Sequence, residues 1–333
     1  DADGVAWLAL DKQGSSANVL SKDVIIELTG VMSELEAKAP RALVVLSAKT
    51  GGFVAGADIK DFTSLATAEE AYALIRAGQQ VFDRIEALPC PSVAAINGFA
   101  LGGGLELALA CRYRVAASDG KVSLGFPEVQ LGIHPGFGGT VRSVRLVGVR
   151  TAMDMMLTGR PYRAEQALAA GLVDRLVPLA ELRDAAKSLA LAAPARHHRS
   201  FTDSLLNLAV VRGFLAKALE RKVRARARRE HYPAPYAVIE LWHRYGARGK
   251  QAFEAEARSI GKLMVSPTAR SLVRVFLLQD RLKSLGGKSP QEVKNVHVVG
   301  AGVMGGDIAA WCALRGMNVT LQDRGPEFVQ PAL

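Results

Sequence analysis

"VAAINGFALGGGLELALAC", residues 93–111, is small and apolar almost throughout, yet it carries a carboxylate, Glu106, two positions past a triple glycine. A lone ionised glutamate in such a stretch is costly to bury unless something compensates it or a site uses it. The segment "PSVAAIN" reads as a strand and "GGGLELALAC" as a helix, joined by the glycines. Glycines let the backbone approach a ligand closely, and the first N–H groups of the helix they precede are free and point outward. That end carries positive potential, which suits an oxyanion, and Glu106 in the first turn faces the same space. A helix-capping acid after a flexible turn is the alternative reading of these residues.

Two further stretches bear on the same question. In "GGFVAGADIKDF", residues 51–62, Gly56 is followed by an exposed amide near Ala57, with Lys60 close behind. Taken alone, this is also a loop with a helix cap at Asp58 and an exposed lysine. In "GFPEVQLGIHPGFGGT", residues 125–140, Glu128 follows Pro127 in an apolar, rigidly turned segment, where a surface-loop acid is the alternative. His134 in the same stretch reads as a packed or turn residue.

The rest of the chain repeats an order of strand, glycine-rich loop and helix. "VAWLAL" and the β-branched "RALVVLSAK" read as strands, "KDVIIELTGVMSELEAK" and residues 68–88 as helices, and "YRVAAS" as a further strand. This order implies an α/β fold with parallel strands. From about residue 180 to 285 helical patterns dominate, and Gly286, Gly287 and Pro290 then mark a linker. "NVHVVGAGVMGGDIAAWCALRGMNVTLQD" closes the pattern as strand, glycine turn, helix and strand.

Of the 333 residues 49% are hydrophobic and 22% charged, which describes a globular chain. The glycines, Asn97 and Glu106 of the longest apolar stretch argue against a transmembrane segment. No signal segment opens the sequence, and Cys90, Cys111 and Cys312 show no short pairing, in keeping with a cytoplasmic protein. The histidines form no metal-ligand pattern, and His197 and His198 read as surface, so no metal is expected. The net charge of +10 is concentrated in residues 217–236, a solvated helix face or a docking surface for a subunit or anionic carrier. No nucleic-acid module accompanies it, and nucleic acid is not expected as a partner.

"FVAGADIKDF", "INGFALGGGLELALACRYRVA" and "LGFPEVQLGIHPGFGGTVR", in this order, resemble the crotonase (enoyl-CoA hydratase/isomerase) superfamily over about residues 5–190. In detail they are similar to the hydratase part of bacterial multifunctional fatty-acid oxidation enzymes, and "REHYPAPY" and "VSPTARSLVRVFLLQDRL" further on are also shared with those enzymes, where they lead towards a dehydrogenase domain. The resemblance implies the ββα spiral fold and a hydration of trans-2-enoyl-CoA in β-oxidation that needs no cofactor. It implies an oxyanion hole from the amides of Ala57 and Gly103, with Glu106 activating water and Glu128 protonating the α-carbon. Coenzyme A is expected along Ala55, Asp58, Ile59 and Lys60. An oligomer and an associated thiolase subunit are implied in the same way. An enoyl-CoA isomerase or another acyl-CoA lyase, or an inactive scaffold used for binding, remain as alternatives.

Gly300, Gly302 and Gly305 have the G-x-G-x-x-G spacing between a strand and a helix, and Asp323 ends the next strand where a ribose-binding acid belongs. This context resembles the start of 3-hydroxyacyl-CoA dehydrogenases and implies an incomplete NAD site within a longer multifunctional protein. The expected organisation is therefore 1–190 for the hydratase, 191–290 for a helical extension and linker, and 291–333 for the opening of an NAD-binding domain.

Overall fold

A computed structural model describes residues 1–119, 121–195, 205–285 and 292–333, in two compact units, Asp1–Phe276 and Leu277–Leu333. The expected linker at Gly286, Gly287 and Pro290, and the His197–His198 pair, lie outside the described residues.

In the first unit, strands β1 (Val5–Leu10), β2 (Ala42–Ser47), β4 (Ser92–Ile96), β6 (Tyr113–Ala117) and β9 (Arg175–Val177) form one parallel sheet in the order β1-β2-β4-β6-β9. Successive side chains of a strand point to opposite faces, and this sheet is apolar on both. Leu43 and Val45 of β2 enter the main core, whereas Ala42, Val44 and Leu46 enter a second core beneath helix Leu182–Ala192. Burying each of the larger side chains contributes about 1.5–3 kcal/mol.

A second sheet is made of very short strands: β3 (Gly52–Val54), β5 (Phe99–Leu101), β7 (Ser123–Gly125) and β8 (Tyr162–Arg163), in that order. The first three run parallel, with Gly52 opposite Phe99 and Leu101 opposite Gly125. Each of these three strands leads directly into one of the motifs singled out above. This small sheet brings the three motifs side by side.

The helices enclose both sheets. They are α1 (Lys22–Lys38), α2 (Ile59–Thr63), α3 (Ala68–Ala87), α4 (Gly103–Ala110), α5 (Gly139–Thr158), α6 (Ala164–Ala169) and α7 (Leu182–Ala192). Ser21 caps α1, and Thr67 with Glu70 forms a reciprocal capping box on α3, which satisfies N–H groups left free at a helix start. Helix α5 is broken at Gly148, whose φ of 79° is left-handed.

Further along come α8 (Ala209–Arg224), α9 (Ala234–Tyr245), α10 (Gly249–Met264) and α11 (Pro267–Leu285). The apolar face of α10 (Ala252, Phe253, Ala257 and Ile260) joins the main core alongside α3. The basic helix α8 buries Ala216 and leaves Lys217, Arg221, Lys222 and Arg224 exposed. Within the second unit, β10 (Asn295–Val299) pairs parallel with β11 (Asn318–Gln322), and α12 (Val303–Leu314) connects them. Among the described residues no helix is long and apolar enough to cross a membrane.

Candidate active site

The three loops after β3, β5 and β7 meet at one cleft. Ala55, Ala57, Ile59, Gly103, Glu106 and Glu128 all line it. The loop after β3 is fastened to the chain before α1: Leu20 N–H donates to the Gly56 carbonyl at 2.8 Å, and Asp58 N–H donates to Leu20 O at 3.1 Å. Ala57 lies between those bonds, and Gly103 is the first residue of α4. Among the described residues neither of their amides is matched to a protein acceptor, so both donors remain available at the cleft.

The triple glycine has a steric origin. Gly102 holds φ at +51°, and a Cβ there would sit 2.5 Å from Glu128 Oε1. A Cβ on Gly104 would run into the carbonyl of Val54. These close approaches bring β3, α4 and the turn that carries Glu128 together.

Glu106 is only 2% exposed, and its Oε1 accepts the Gly139 N–H at 2.6 Å. Burial pushes its carboxyl well above the usual range; the negative charges of Glu256 and Glu128 add to this, and the amides of Gly139 and Phe137 oppose it. Glu128 sits on the short helical turn Pro127–Leu131. The residue is half-buried, but its Oε2 is fully enclosed and has no hydrogen-bond partner. Burial raises it to about 8, with its own backbone amide opposing and Glu256 adding.

Glu256, on α10, was not anticipated from the sequence. It is fully buried and accepts from Gly138 N–H at 2.6 Å, Thr140 N–H at 2.9 Å, Gln79 Nε2 at 2.9 Å and the Thr140 hydroxyl. Burial lifts it to about 7 against those donors. A signal for it does exist: Glu256 falls on the apolar stripe of Ala252, Phe253, Ala257 and Ile260, the same anomaly that singles out Glu106.

His134 also lines the cleft, fully buried, with its ring nitrogens 2.7 Å from Pro135 O and 2.8 Å from Ser259 Oγ. Burial lowers it to about 4, so the ring is neutral at ordinary pH. Asp58 caps α2 by accepting the Lys60 N–H at 3.1 Å and pairs with Lys12 at 3.3 Å. Asp58 and Lys60 stand beside the cleft rather than in its wall, with Lys60 exposed.

A glycine turn into a helix, one buried and one half-buried carboxylate and two available amides on one cleft define the kind of site. The enoyl-CoA hydratase/isomerase family model matches residues 2–232. The chain belongs to this family. It has the α/β crotonase fold, followed by a helical region and a small parallel sheet at the C-terminal end. Among solved structures it is similar to an enoyl-CoA hydratase from Bacillus anthracis, with 29% identity, a TM-score of 0.53, and coverage of 85% of this chain and 91% of that one. DspI of Pseudomonas aeruginosa shares 31% identity over 69% of this chain and 88% of its own, with a TM-score of 0.53. Human mitochondrial delta3-delta2-enoyl-CoA isomerase has the same fold, with a TM-score of 0.62, 24% identity, and coverage of 86% of this chain and 96% of that one.

Residues 295–333 match the NAD-binding domain of 3-hydroxyacyl-CoA dehydrogenase. There Gly300 has φ +101°, and a Cβ on Gly305 would run into the Gly300 carbonyl. Gly302 caps α12, and Asp323 accepts the Ala301 N–H at 2.6 Å. The close glycine turn at a helix start fits a pyrophosphate. The Ala301 amide holds the Asp323 carboxyl below its usual range, hence ionised.

Proposed function

We propose that the cleft hydrates trans-2-enoyl-CoA to 3-hydroxyacyl-CoA. The observation that carries this reading is the presence of both Glu106 and Glu128 on the wall shared by the Ala57 and Gly103 amides. In this reading the thioester oxygen lies between the two amides. Glu106 holds a water, whose oxygen bonds to C3 as Glu106 takes one of its protons. The C2–C3 π electrons move towards the carbonyl, and the charge that develops on the thioester oxygen is stabilised by the two N–H groups. Glu128 gives its proton to C2, so the pair of carboxyls ends with as many protons as it began with.

The hydrogen bonds to the two acids favour this division of roles. Burial makes two charges in one small site costly, so the pair favours holding a proton. The amides of Gly139 and Phe137 favour the ionised form of Glu106, whereas Glu128 Oε2 has no donor. In this reading Glu128 carries the proton as the acid, and the Gly139 amide favours the ionised form of Glu106 against the burial that raises it. We place coenzyme A along Ala55, Asp58, Ile59 and Lys60, with the Lys60 ammonium towards its phosphates. Loss of the enoyl absorbance of crotonyl-CoA on incubation with the protein tests the reading; no loss at high protein concentration contradicts it.

A second activity on the same residues is isomerisation of 3-enoyl-CoA. The unpartnered Oε2 of Glu128 favours it, because a carboxyl oxygen without a fixed donor can carry a proton between two carbons. For residues 295–333 we propose that the amides from Gly300 to Gly305 hold the NAD pyrophosphate and Asp323 the ribose. NAD, when bound, accepts a hydride, which would suit oxidation of the 3-hydroxyacyl-CoA formed at the first site. We also read the chain as the three segments 1–190, 191–290 and 291–333.

A further inference from the structure

The amides that open α5 are divided between two carboxylates. Gly138 N–H and Thr140 N–H go to Glu256, and Gly139 N–H between them goes to Glu106. Glu256 comes from a helix more than a hundred residues further along the chain, 118 from Gly138 and 116 from Thr140. Gln79 completes the arrangement, donating to Glu256 and to the carbonyl of Gly136, two residues before the divided amides. A helix start presents adjacent N–H groups fanned around one end. An acceptor that takes the first and third fixes the direction of the second.

We propose that Glu256 is a positioning residue for Glu106: by holding the amides of Gly138 and Thr140 it aims that of Gly139 at the Glu106 carboxylate. Glu256 touches no reacting atom and acts through the backbone and through its charge. A negative Glu256 disfavours the ionised form of Glu106 and of Glu128. The helical region after the α/β core thus tunes the site as well as covering the core. Thr140 Oγ1 can donate to a carboxylate or accept from a carboxylic acid, so the contact survives a change of protonation at Glu256.

The ionisable groups around Glu256 on each neighbouring element leave room for this effect. Glu106 on α4 and Glu128 on the turn after β7 are the acids it acts upon. His134, bonded to Ser259 on α10 itself, is held neutral by burial. Arg142 on α5 is engaged by Asp83 and Glu86, and Arg76 on α3 reaches the network through Gln79. On α9, Glu240 and Arg244 pair with each other at the surface. Within α10, Glu254 is bridged to Arg258.

The inference rests on the hydration reading for its kinetic arm only. In the full chain, Glu256→Gln keeps the shape and one acceptor, removes the charge, and turns an amide group towards Thr140. Thr140→Val is a milder second variant that removes one donor to Glu256. The carboxyl titrations of Glu106 and Glu128 are followed by carbon NMR of side-chain-labelled glutamate, assigned with Glu106→Gln and Glu128→Gln. For Glu256→Gln the loss of charge lowers the Glu106 titration and the loosened Gly139 amide raises it; the charge is the larger effect, so a net fall of about one pH unit, about tenfold in proton affinity, is expected. For Thr140→Val the shift is in the same direction and smaller. With crotonyl-CoA, the acid limb of the kcat profile moves down with it, kcat falls about tenfold and KM stays within about twofold. Loss of Tm alone, with the Glu106 titration unmoved in both variants, overturns the proposal. If the parent protein fails to hydrate crotonyl-CoA, the function reading fails, and the titrations still decide the role of Glu256.

Discussion

The carbonyl of Val54, at the end of β3, lies against the α-carbon of Gly104 in the first turn of α4, with no space for a side chain between them. Gly104→Ala must therefore push apart the two elements that carry Ala57 and Gly103. It is expected to destabilise the first unit by about 1–3 kcal/mol and to lower activity more than stability. Gly30→Ala, on the exposed face of α1 with open space around it, is the control and is expected to stabilise by up to about 1 kcal/mol. Chemical denaturation of both variants measures the difference.

Stability is expected to depend on pH through Glu128. Its folded-state value of about 8 lies above its ordinary 4.5, so between these pH values the folded chain binds the proton and the unfolded chain does not. The stabilisation is present below about 4.5 and is lost as pH rises through 8. Glu128→Gln, neutral at every pH, should melt above the parent at about pH 9 while the two converge at about pH 5. His134 acts from the other side: its neutral form is favoured in the fold, so its contribution is lost as pH falls from 6.5 towards 4. Thermal melts across this range check both slopes.

Isomerisation of a 3-enoyl-CoA is expected as a weaker activity, with a different dependence on the two acids. Glu128→Gln should remove most of it, whereas Glu106→Gln should leave more than it leaves of hydration. Parallel rates on 2-enoyl and 3-enoyl substrates give the comparison. The opposite order would reverse the assignment of Glu128 to the α-carbon.

The second unit should be the first to open. Among its described residues Val298 and Ala301 are buried, whereas Val299, Val303, Met304, Trp311 and Leu314 are exposed. Few buried contacts mean low local stability. Amide hydrogen exchange is expected to be fastest over residues 295–323 and slowest in β2 and β4, whose residues are almost wholly buried.

Much of this was legible in the sequence because the longer elements state themselves. β2 and β4 are continuous apolar runs, and α3 has a capping box followed by helical spacing. The second sheet was not legible. Its strands are two or three residues long, too short to show alternation, and β3 and β5 read as parts of glycine loops. Glu106, Glu128, Ala57 and Gly103 could be named from their motifs, but their meeting on one wall depends on that sheet. Glu256 was missed although its place on an apolar stripe marks it, because its partners are 116 and 118 residues away and no local pattern connects them.

The central claim is that water adds at C3 with Glu106 and Glu128 in separate roles. Crotonyl-CoA incubated in deuterated water enriched in oxygen-18 tests it by mass spectrometry of the product. The account predicts 3-hydroxybutyryl-CoA with the heavy oxygen at C3 and one deuterium at C2, formed at least about a hundredfold more slowly by Glu106→Gln and by Glu128→Gln. A protein that exchanges deuterium into the substrate without placing heavy oxygen at C3, or variants that keep the parental rate, would contradict it.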